Sequence, residues 1–189
     1  MMATAKLCDD ATMSELVSAL QAGATDDLAR AERLLSEYPE DGRLHFLRGS
    51  MLAGIGRPIE ALPALRKAVE LAPDLTIARF QLGFFLLTCG DAAEALSVWG
   101  PLALLPADNY LRLFVGGLTH LVRDEFAETT RLLEEGIALN HENPALNRDM
   151  QLLIEKIRQI DTPATSTAAD ADVSATSLLL GQFAKHTTH

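Results

Sequence analysis

Two side chains with metal-binding chemistry lie four residues apart near the end of one predicted helix. His120 and Asp124 would share a helical face, and His141 is the nearest further candidate ligand. A zinc site in a protein needs at least three protein ligands in a fixed geometry, so this pair alone is a weak signal. We expect no metal ion and no other cofactor.

Carboxylates at a constant spacing could indicate acid–base catalysis. Glu60, Glu94 and Glu128 are spaced 34 residues apart, but each begins a predicted helix, where the helix dipole favours a negative charge. The sequence lacks the glycine-rich phosphate-binding motifs, the nucleophile-elbow motif and the zinc-protease motif. Cys8 lies in an N-terminus predicted to be unstructured, with no base beside it. We therefore expect a protein that is not an enzyme.

Composition and charge narrow the class of protein further. The 189 residues are 48% hydrophobic and carry a net charge of −10, which favours a buried core and disfavours nucleic acid or anionic membranes as partners. No apolar stretch is long enough to span a membrane, and no secretory signal is visible. Two cysteines are too few for a disulfide scaffold. We expect a soluble, cytoplasmic protein.

The chain repeats itself with a period of 34 residues. Three residue types recur at this spacing: Phe46, Phe80 and Phe114; Gly49, Gly83 and Gly117; and Glu60, Glu94 and Glu128. Prolines mark the ends of the repeats at Pro39, Pro73 and Pro106. A period of this length predicts stacked copies of one supersecondary unit.

Each repeat is predicted to form two helices, so the fold class is all-α. The predicted helices span 43–55 and 58–71 in the first repeat, 76–89 and a helix capped by Asp91 in the second, and 110–122 and 124–139 in the third. A shorter pair, 13–21 and 26–38, precedes them. An amphipathic closing helix is predicted over 144–160.

The repeat resembles the tetratricopeptide repeat family. That family has a small residue at position 8, alanine at positions 20 and 27, and proline at position 32, and a first repeat starting at Gly42 supplies Gly49, Ala61, Ala68 and Pro73. The second and third repeats match less completely. The resemblance implies a right-handed superhelix of antiparallel helix pairs over residues 11–160, with a closing C-terminal helix, preceded by a disordered N-terminus over 1–10.

The chain also departs from the family pattern. The third repeat has His120 where the family has a packed tyrosine, so we expect a core histidine there. Pro63 and Pro101 fall inside predicted second helices, where a proline removes a hydrogen bond and crowds the preceding turn. We predict a kink or break near Trp99.

The resemblance implies that the first helix of each repeat lines a concave groove. Ten residues are predicted to bind a ligand there: Phe46, Ser50, Ile77, Phe80, Phe84, Leu87, Leu111, Phe114, Leu118 and Leu121. The lysine, asparagine and arginine residues with which related grooves clamp a terminal carboxylate are absent from positions 5 and 9. An apolar ligand is therefore expected, although the phenylalanines could equally be ordinary core packing between helices.

The C-terminal part of the chain changes in composition. Residues 161–176 have the composition of a flexible linker, and an apolar segment over 177–184 follows, before a disordered end at 185–189. We expect this segment to dock on the protein itself, on a second copy or on a partner, through Leu178, Leu179, Leu180 and Phe183.

Together these patterns predict an adaptor or scaffold that binds an apolar helix or extended peptide of another protein and that its own C-terminal segment could inhibit. Two alternatives stay open. The small acidic secretion-type chaperones resemble this chain in having about three repeats behind an N-terminal helix. The protein could also be a regulatory subunit of an enzyme.

Overall fold

The computed structural model describes residues 6–22 and 26–161, which form helices and no strand. The helices are α1 (Asp10–Ala22), α2 (Asp27–Glu37), α3 (Gly42–Gly54), α4 (Pro58–Leu71), α5 (Thr76–Thr88), α6 (Ala92–Trp99), α7 (Tyr110–Leu121), α8 (Phe126–Leu139) and α9 (Pro144–Asp161), with a 3-10 helix at Gly100–Leu104 after α6. The predicted all-α class is confirmed. None of these described helices is both long and apolar enough to cross a membrane.

The helices form two compact units. The first ends at Leu82 and the second begins at Gly83, both inside α5. In the first unit α3 packs against α2 and α4, and in the second α8 packs against α7 and α9. Because short turns join α3 to α4 and α7 to α8, each of these two pairs is a helical hairpin.

Glycines let the two helices of each repeat approach closely. A Cβ atom added to Gly49 would lie 2.8 Å from Leu65 Cγ, and one added to Gly117 would lie 2.9 Å from Leu133 Cδ2. The same sequence separation relates all three pairs: Gly49 with Leu65, Gly83 with Trp99, and Gly117 with Leu133. In each pair the contacting residue lies 16 positions after the glycine, on the second helix of the repeat.

The first helix of each repeat ends in a left-handed residue. Gly56, Gly90 and Asp124, again 34 residues apart, have φ values of 72°, 90° and 57°. In each case the next N–H donates to the carbonyl five residues before it, as Asp91 does to Leu86 at 2.9 Å. This bond closes the helix end in the manner of a Schellman motif.

Gly90→Ala is expected to lower the free energy of unfolding by about 1 kcal/mol, because an L-residue is strained at this φ. No atom lies within 4 Å of the added Cβ, so a steric clash makes no contribution. The matched control is Gly54→Ala, which also meets no atom within 4 Å but lies in α3. Urea unfolding of both variants tests this, and equal losses would contradict it.

The second repeat is interrupted as predicted. α6 ends at Trp99 after 8 residues, whereas α4 and α8 each have 14. Pro101 cannot supply an N–H to continue the α-helix, so the chain goes on as the 3-10 helix Gly100–Leu104. The predicted break near Trp99 is confirmed, while α4 continues through Pro63 in its second turn.

The N-terminal segment is held against α3. We expected disorder over 1–10; residues 1–5 lie outside the described part, but Cys8 is buried, and its N–H donates to Asp41 Oδ2 at 3.0 Å. The Cys8 carbonyl accepts a 2.6 Å hydrogen bond from Arg43 Nη2. Lys6 Nζ lies 4.7 Å from the centre of the Tyr38 ring, a cation–π distance. These contacts are distant in sequence, so the repeat pattern does not predict them.

Asp41 is the centre of this attachment. Its side chain is 1% exposed, caps α3 by accepting from the Arg43 N–H at 3.0 Å, and pairs with the Arg43 guanidinium at 2.8 Å. Burial alone would raise the pKa of Asp41, but hydrogen bonds from Arg43 and from the Cys8 N–H lower this pKa below its usual value. The carboxylate therefore stays charged although it is buried.

Asn140 organises the turn between α8 and α9. Its Oδ1 accepts from the N–H groups of Glu142 and Asn143, at 3.2 and 3.0 Å. Its Nδ2 donates to the Asn143 carbonyl and to Asn147 Oδ1, at 3.0 and 2.8 Å. The buried amide of Asn140 therefore fixes the turn before α9.

Candidate functional site

Three of the ten predicted ligand-binding residues are only half-buried. Phe46 and Ser50 lie one turn apart on the same face of α3, and Ile77 lies in the first turn of α5. All three belong to the first unit. These are the predicted binding residues that a ligand could reach without a rearrangement of the core.

The Ser50 hydroxyl has an unusual environment. Within the described residues, Ser50 Oγ is the buried side-chain oxygen or nitrogen that has no hydrogen-bond partner. Serine in a helix commonly donates to the carbonyl four residues earlier, as Ser36 does to Glu32 at 3.0 Å. An unpaired buried hydroxyl is energetically unfavourable, so Ser50 marks a polar group on α3 that the described residues leave unsatisfied.

The other seven predicted binding residues are buried. Their side chains are between 0% and 5% exposed: Phe80, Phe84, Leu87, Leu111, Phe114, Leu118 and Leu121. None of these seven therefore presents an open apolar surface in this structure. Of the three phenylalanines at the same repeat position, Phe80 and Phe114 are fully buried and Phe46 is half-buried.

Phe114, which was predicted to line the groove, is a core residue in this structure. Its ring packs against Gly136 of α8, where an added Cβ would lie 2.6 Å from Phe114 Cδ1. The Tyr110 ring contacts it edge-on, with 5.8 Å between the ring centres. Because Gly136 has no Cβ, the Phe114 ring has room between α7 and α8.

The proposed self-docking segment, with Leu178, Leu179, Leu180 and Phe183, lies outside the described residues. The linker 161–176 lies outside them as well, apart from Asp161 at the end of α9.

The arginines that border the first helices already have partners in this chain. Besides Arg43, whose partners are given above, Arg48 pairs with Glu32 at 3.4 Å. Arg79 and Arg112 donate to backbone carbonyls, those of Pro73 at 3.4 Å and Leu105 at 2.6 Å. These hydrogen bonds and ion pairs stabilise local structure. The four arginines are therefore already engaged within the chain and form no prepared binding site for an acidic ligand.

The histidine at the end of α7 is neither a core residue nor part of a metal cluster. His120 was expected to pack in the core, but its side chain is 32% exposed and its Nδ1 is hydrogen-bonded to the Glu125 carboxylate. The turn after α7 brings this carboxylate back over the helix end. Among the described residues, no group of three or more His, Cys, Asp or Glu side chains could hold a metal ion.

The recurring glutamates have the structural positions that the sequence predicts. Glu60, Glu94 and Glu128 each lie in the first turn of a second helix. Glu60 pairs with Arg57 at 2.7 Å, and Glu128 pairs with Arg131 at 2.9 Å. Hydrogen bonding to Arg131 lowers the pKa of Glu128. Charged, paired carboxylates at helix starts are typical of structural rather than catalytic use.

A shallow cleft lies between α2 and α3. It has a volume of about 330 Å³ and is lined by Glu32, Leu35, Ser36 and Arg48. The ion pair between Glu32 and Arg48 crosses it, and Ser36 donates to a backbone carbonyl. Because its polar groups are already paired, the cleft is a weaker candidate than the α3 surface.

Two strongly exposed apolar residues escaped the sequence analysis. Ile59, in the first turn of α4, and Leu104, at the end of the 3-10 helix, are each 88% exposed. Ile59 follows Pro58 at the start of α4, and Leu104 lies three residues after Pro101 in the 3-10 helix.

The sequence matches no protein-family model, and no curated protein matches it significantly.

Proposed function

We propose that this chain is a repeat module of the tetratricopeptide type that holds another polypeptide, as an adaptor or scaffold without a catalytic role. The glycine contacts that recur in three successive repeats support the assignment to this type of repeat. Repeat modules of stacked helices commonly use the surface of their first helices to bind extended or helical ligands.

The observation that carries this proposal is the unpaired Ser50 hydroxyl. A buried hydroxyl without a partner costs about 1–3 kcal/mol. Rotation of the Ser50 side chain toward a bound peptide would let a backbone N–H or carbonyl of that peptide remove this cost. Phe46, one turn earlier on α3, offers an apolar contact beside it. This pairing of one polar and one apolar group suits a peptide with exposed backbone and an apolar side chain.

The proposal is tested by affinity capture with the full chain as bait. Phe46→Glu and Ile77→Glu are expected to lose partners that the wild type retains, because both residues are accessible and a charge there opposes an apolar ligand. Ile59→Glu is the control, since Ile59 is exposed but is not a predicted binding residue. Phe80 and Phe114 are unsuitable for this test because a charge at a fully buried position would unfold the protein.

Deletion of residues 174–189 in the same experiment tests self-inhibition. If Leu178, Leu179, Leu180 and Phe183 compete with the partner, the truncated bait recovers more partner than the wild type. Unchanged recovery would remove self-inhibition from the proposal, and equal recovery by wild type and Phe46→Glu would move the binding site away from α3. A partner that is insoluble unless coexpressed with this chain would favour the secretion-type chaperone over the scaffold.

A further inference from the structure

The closing helix α9 has a second apolar stripe beside its packed face. Five residues at intervals of three or four form it: Ala145, Asp149, Leu152, Lys156 and Ile160. Leu152 and Ile160 are each 44% exposed, and Asp149 and Lys156 are half-buried. The neighbouring face, which includes Leu153 and Ile157, is fully buried.

This stripe lies on the flank of α9 opposite two side chains that contact α8 and its end. Arg158 reaches Glu134 of α8 at 2.6 Å, and Asn147 bonds to Asn140 at the end of α8. At about 100° per residue, Asp149 lies roughly 160–180° around the helix from these two side chains, and the stripe is centred about 100° from the middle of the buried face. The stripe therefore flanks the packed face of α9 and is only partly covered by it.

The two charged residues of the stripe have no partner in the part of the chain that the structure describes. Neither the Asp149 carboxylate nor the Lys156 ammonium group makes a hydrogen bond or an ion pair with a described residue. They are two helical turns apart, about 10 Å along the axis, so they do not pair with each other. Burial raises the pKa of Asp149 to about 6, and the neighbouring Arg148 acts in the opposite direction.

The order of residues in the stripe is complementary to itself. Asp149 and Lys156 lie at equal distances on either side of the midpoint between Leu152 and Leu153, and so do Ala145 and Ile160. An antiparallel second helix with its two-fold axis at this midpoint would place each Asp149 opposite a Lys156. It would also bring the two Leu152 side chains together and cover both Ile160 side chains with Ala145.

We propose that the outer stripe of α9 binds the same stripe of a second copy of this chain, in an antiparallel, two-fold symmetric dimer. Such an interface is isologous, so every contact occurs twice. It supplies the missing partner of both half-buried charges and covers both exposed apolar side chains of the stripe. One helix face is a small interface, which favours a weak and reversible dimer.

Charge reversal tests this arrangement with the full chain. In sedimentation equilibrium at up to about 1 mM protein, the wild type is expected to dimerise. Asp149→Lys alone and Lys156→Asp alone each place like charges opposite one another, so each is expected to weaken the dimer at least about tenfold. An equal mixture of these two variants restores both opposite-charge contacts, so it is expected to dimerise as strongly as the wild type.

Glu155→Lys is the control, because Glu155 is exposed on α9 outside the stripe. It should leave the dimer unchanged, and circular dichroism of each variant should show the wild-type helix content. A wild type that stays monomeric throughout would overturn the proposal, and the stripe would then be left to the chain's own C-terminal segment or to another protein. A dimer that both charge reversals leave intact, or a mixture that fails to dimerise, would overturn it as well.

Discussion

Gly83→Ala is expected to lower the free energy of unfolding by about 2–3 kcal/mol, a large cost for one methyl group. The added Cβ would lie 2.2 Å from Trp99 Nε1 and 2.5 Å from Trp99 Cε2. The Trp99 side chain is 1% exposed and its ring is rigid, so no small rotation relieves the clash and the helices have to move apart. Trp99 is the single tryptophan of the chain, and its fluorescence during urea unfolding measures this loss directly.

Two comparisons separate this clash from a general effect of alanine. Gly100→Ala should cost little or nothing, because the added Cβ meets no atom within 4 Å and φ and ψ are −43° and −51°. Trp99→Leu recreates the Gly–Leu pairing of the other two repeats, so Gly83→Ala should cost at least about 1 kcal/mol less in that background. This series is followed by circular dichroism. An unchanged cost would show that the tryptophan ring is not the obstacle.

Asp41→Ala is expected to lower the free energy of unfolding by about 3 kcal/mol. The change removes the cap of α3 and leaves the Cys8 N–H without its acceptor. It also removes the buried carboxylate that pairs with Arg43, which keeps only the Cys8 carbonyl and Asp10 as acceptors among the described residues. The N-terminal segment should also be held less tightly in this variant. The substitution should therefore increase the rate of amide hydrogen exchange more in α1 than in α8. Thermal or urea unfolding, combined with exchange, measures both effects.

The contribution of Asp41 should depend on pH in a defined direction. Because its pKa is lowered in the folded state, the charge stabilises the protein fully above about pH 4, and this stability is lost as the pH falls through the folded-state pKa. The advantage of wild type over Asp41→Asn should therefore shrink in acid. Asp10→Asn is the control, since Asp10 pairs with the same Arg43 but is 97% exposed, and it should change stability little. A difference between wild type and Asp41→Asn that stays constant down to about pH 2 would contradict a role of the charge.

The repeat made much of the architecture predictable. Residues recurring every 34 positions predict helix pairs, and a glycine at the same place in each pair predicts close contact between the two helices. The break after Trp99 was also predictable, because the effect of Pro101 on the helix is local. These inferences succeeded because they depend on short-range geometry that every repeat shares.

The exposure of individual side chains was not predictable from the repeat. Phe46, Phe80 and Phe114 hold the same repeat position, yet Phe46 is half-buried and the other two are fully buried. The Phe114 ring, for example, lies against Gly136 of the facing helix, where an added Cβ would be 2.6 Å from Phe114 Cδ1. Such a detail depends on which residues face each other, and periodicity does not determine this.

Contacts between distant parts of the sequence were missed for a related reason. Nothing in the residues around Cys8 indicates that its backbone meets Asp41, because the N-terminal segment belongs to no repeat. The interpretation of His120 was wrong because Glu125, beyond the turn, supplies a partner that draws the ring toward solvent. The unpaired Ser50 hydroxyl could be recognised only once its neighbours were known.

Amide hydrogen exchange of the full chain, alone and with a polypeptide recovered by wild type but not by Phe46→Glu, tests the proposed polypeptide-binding surface most directly. Binding at Phe46, Ser50 and Ile77 predicts slower exchange in α3 and in the first turns of α5, with little change in α8. Protection confined to the second unit, or no protection at all in α3, would contradict the assignment of the binding surface.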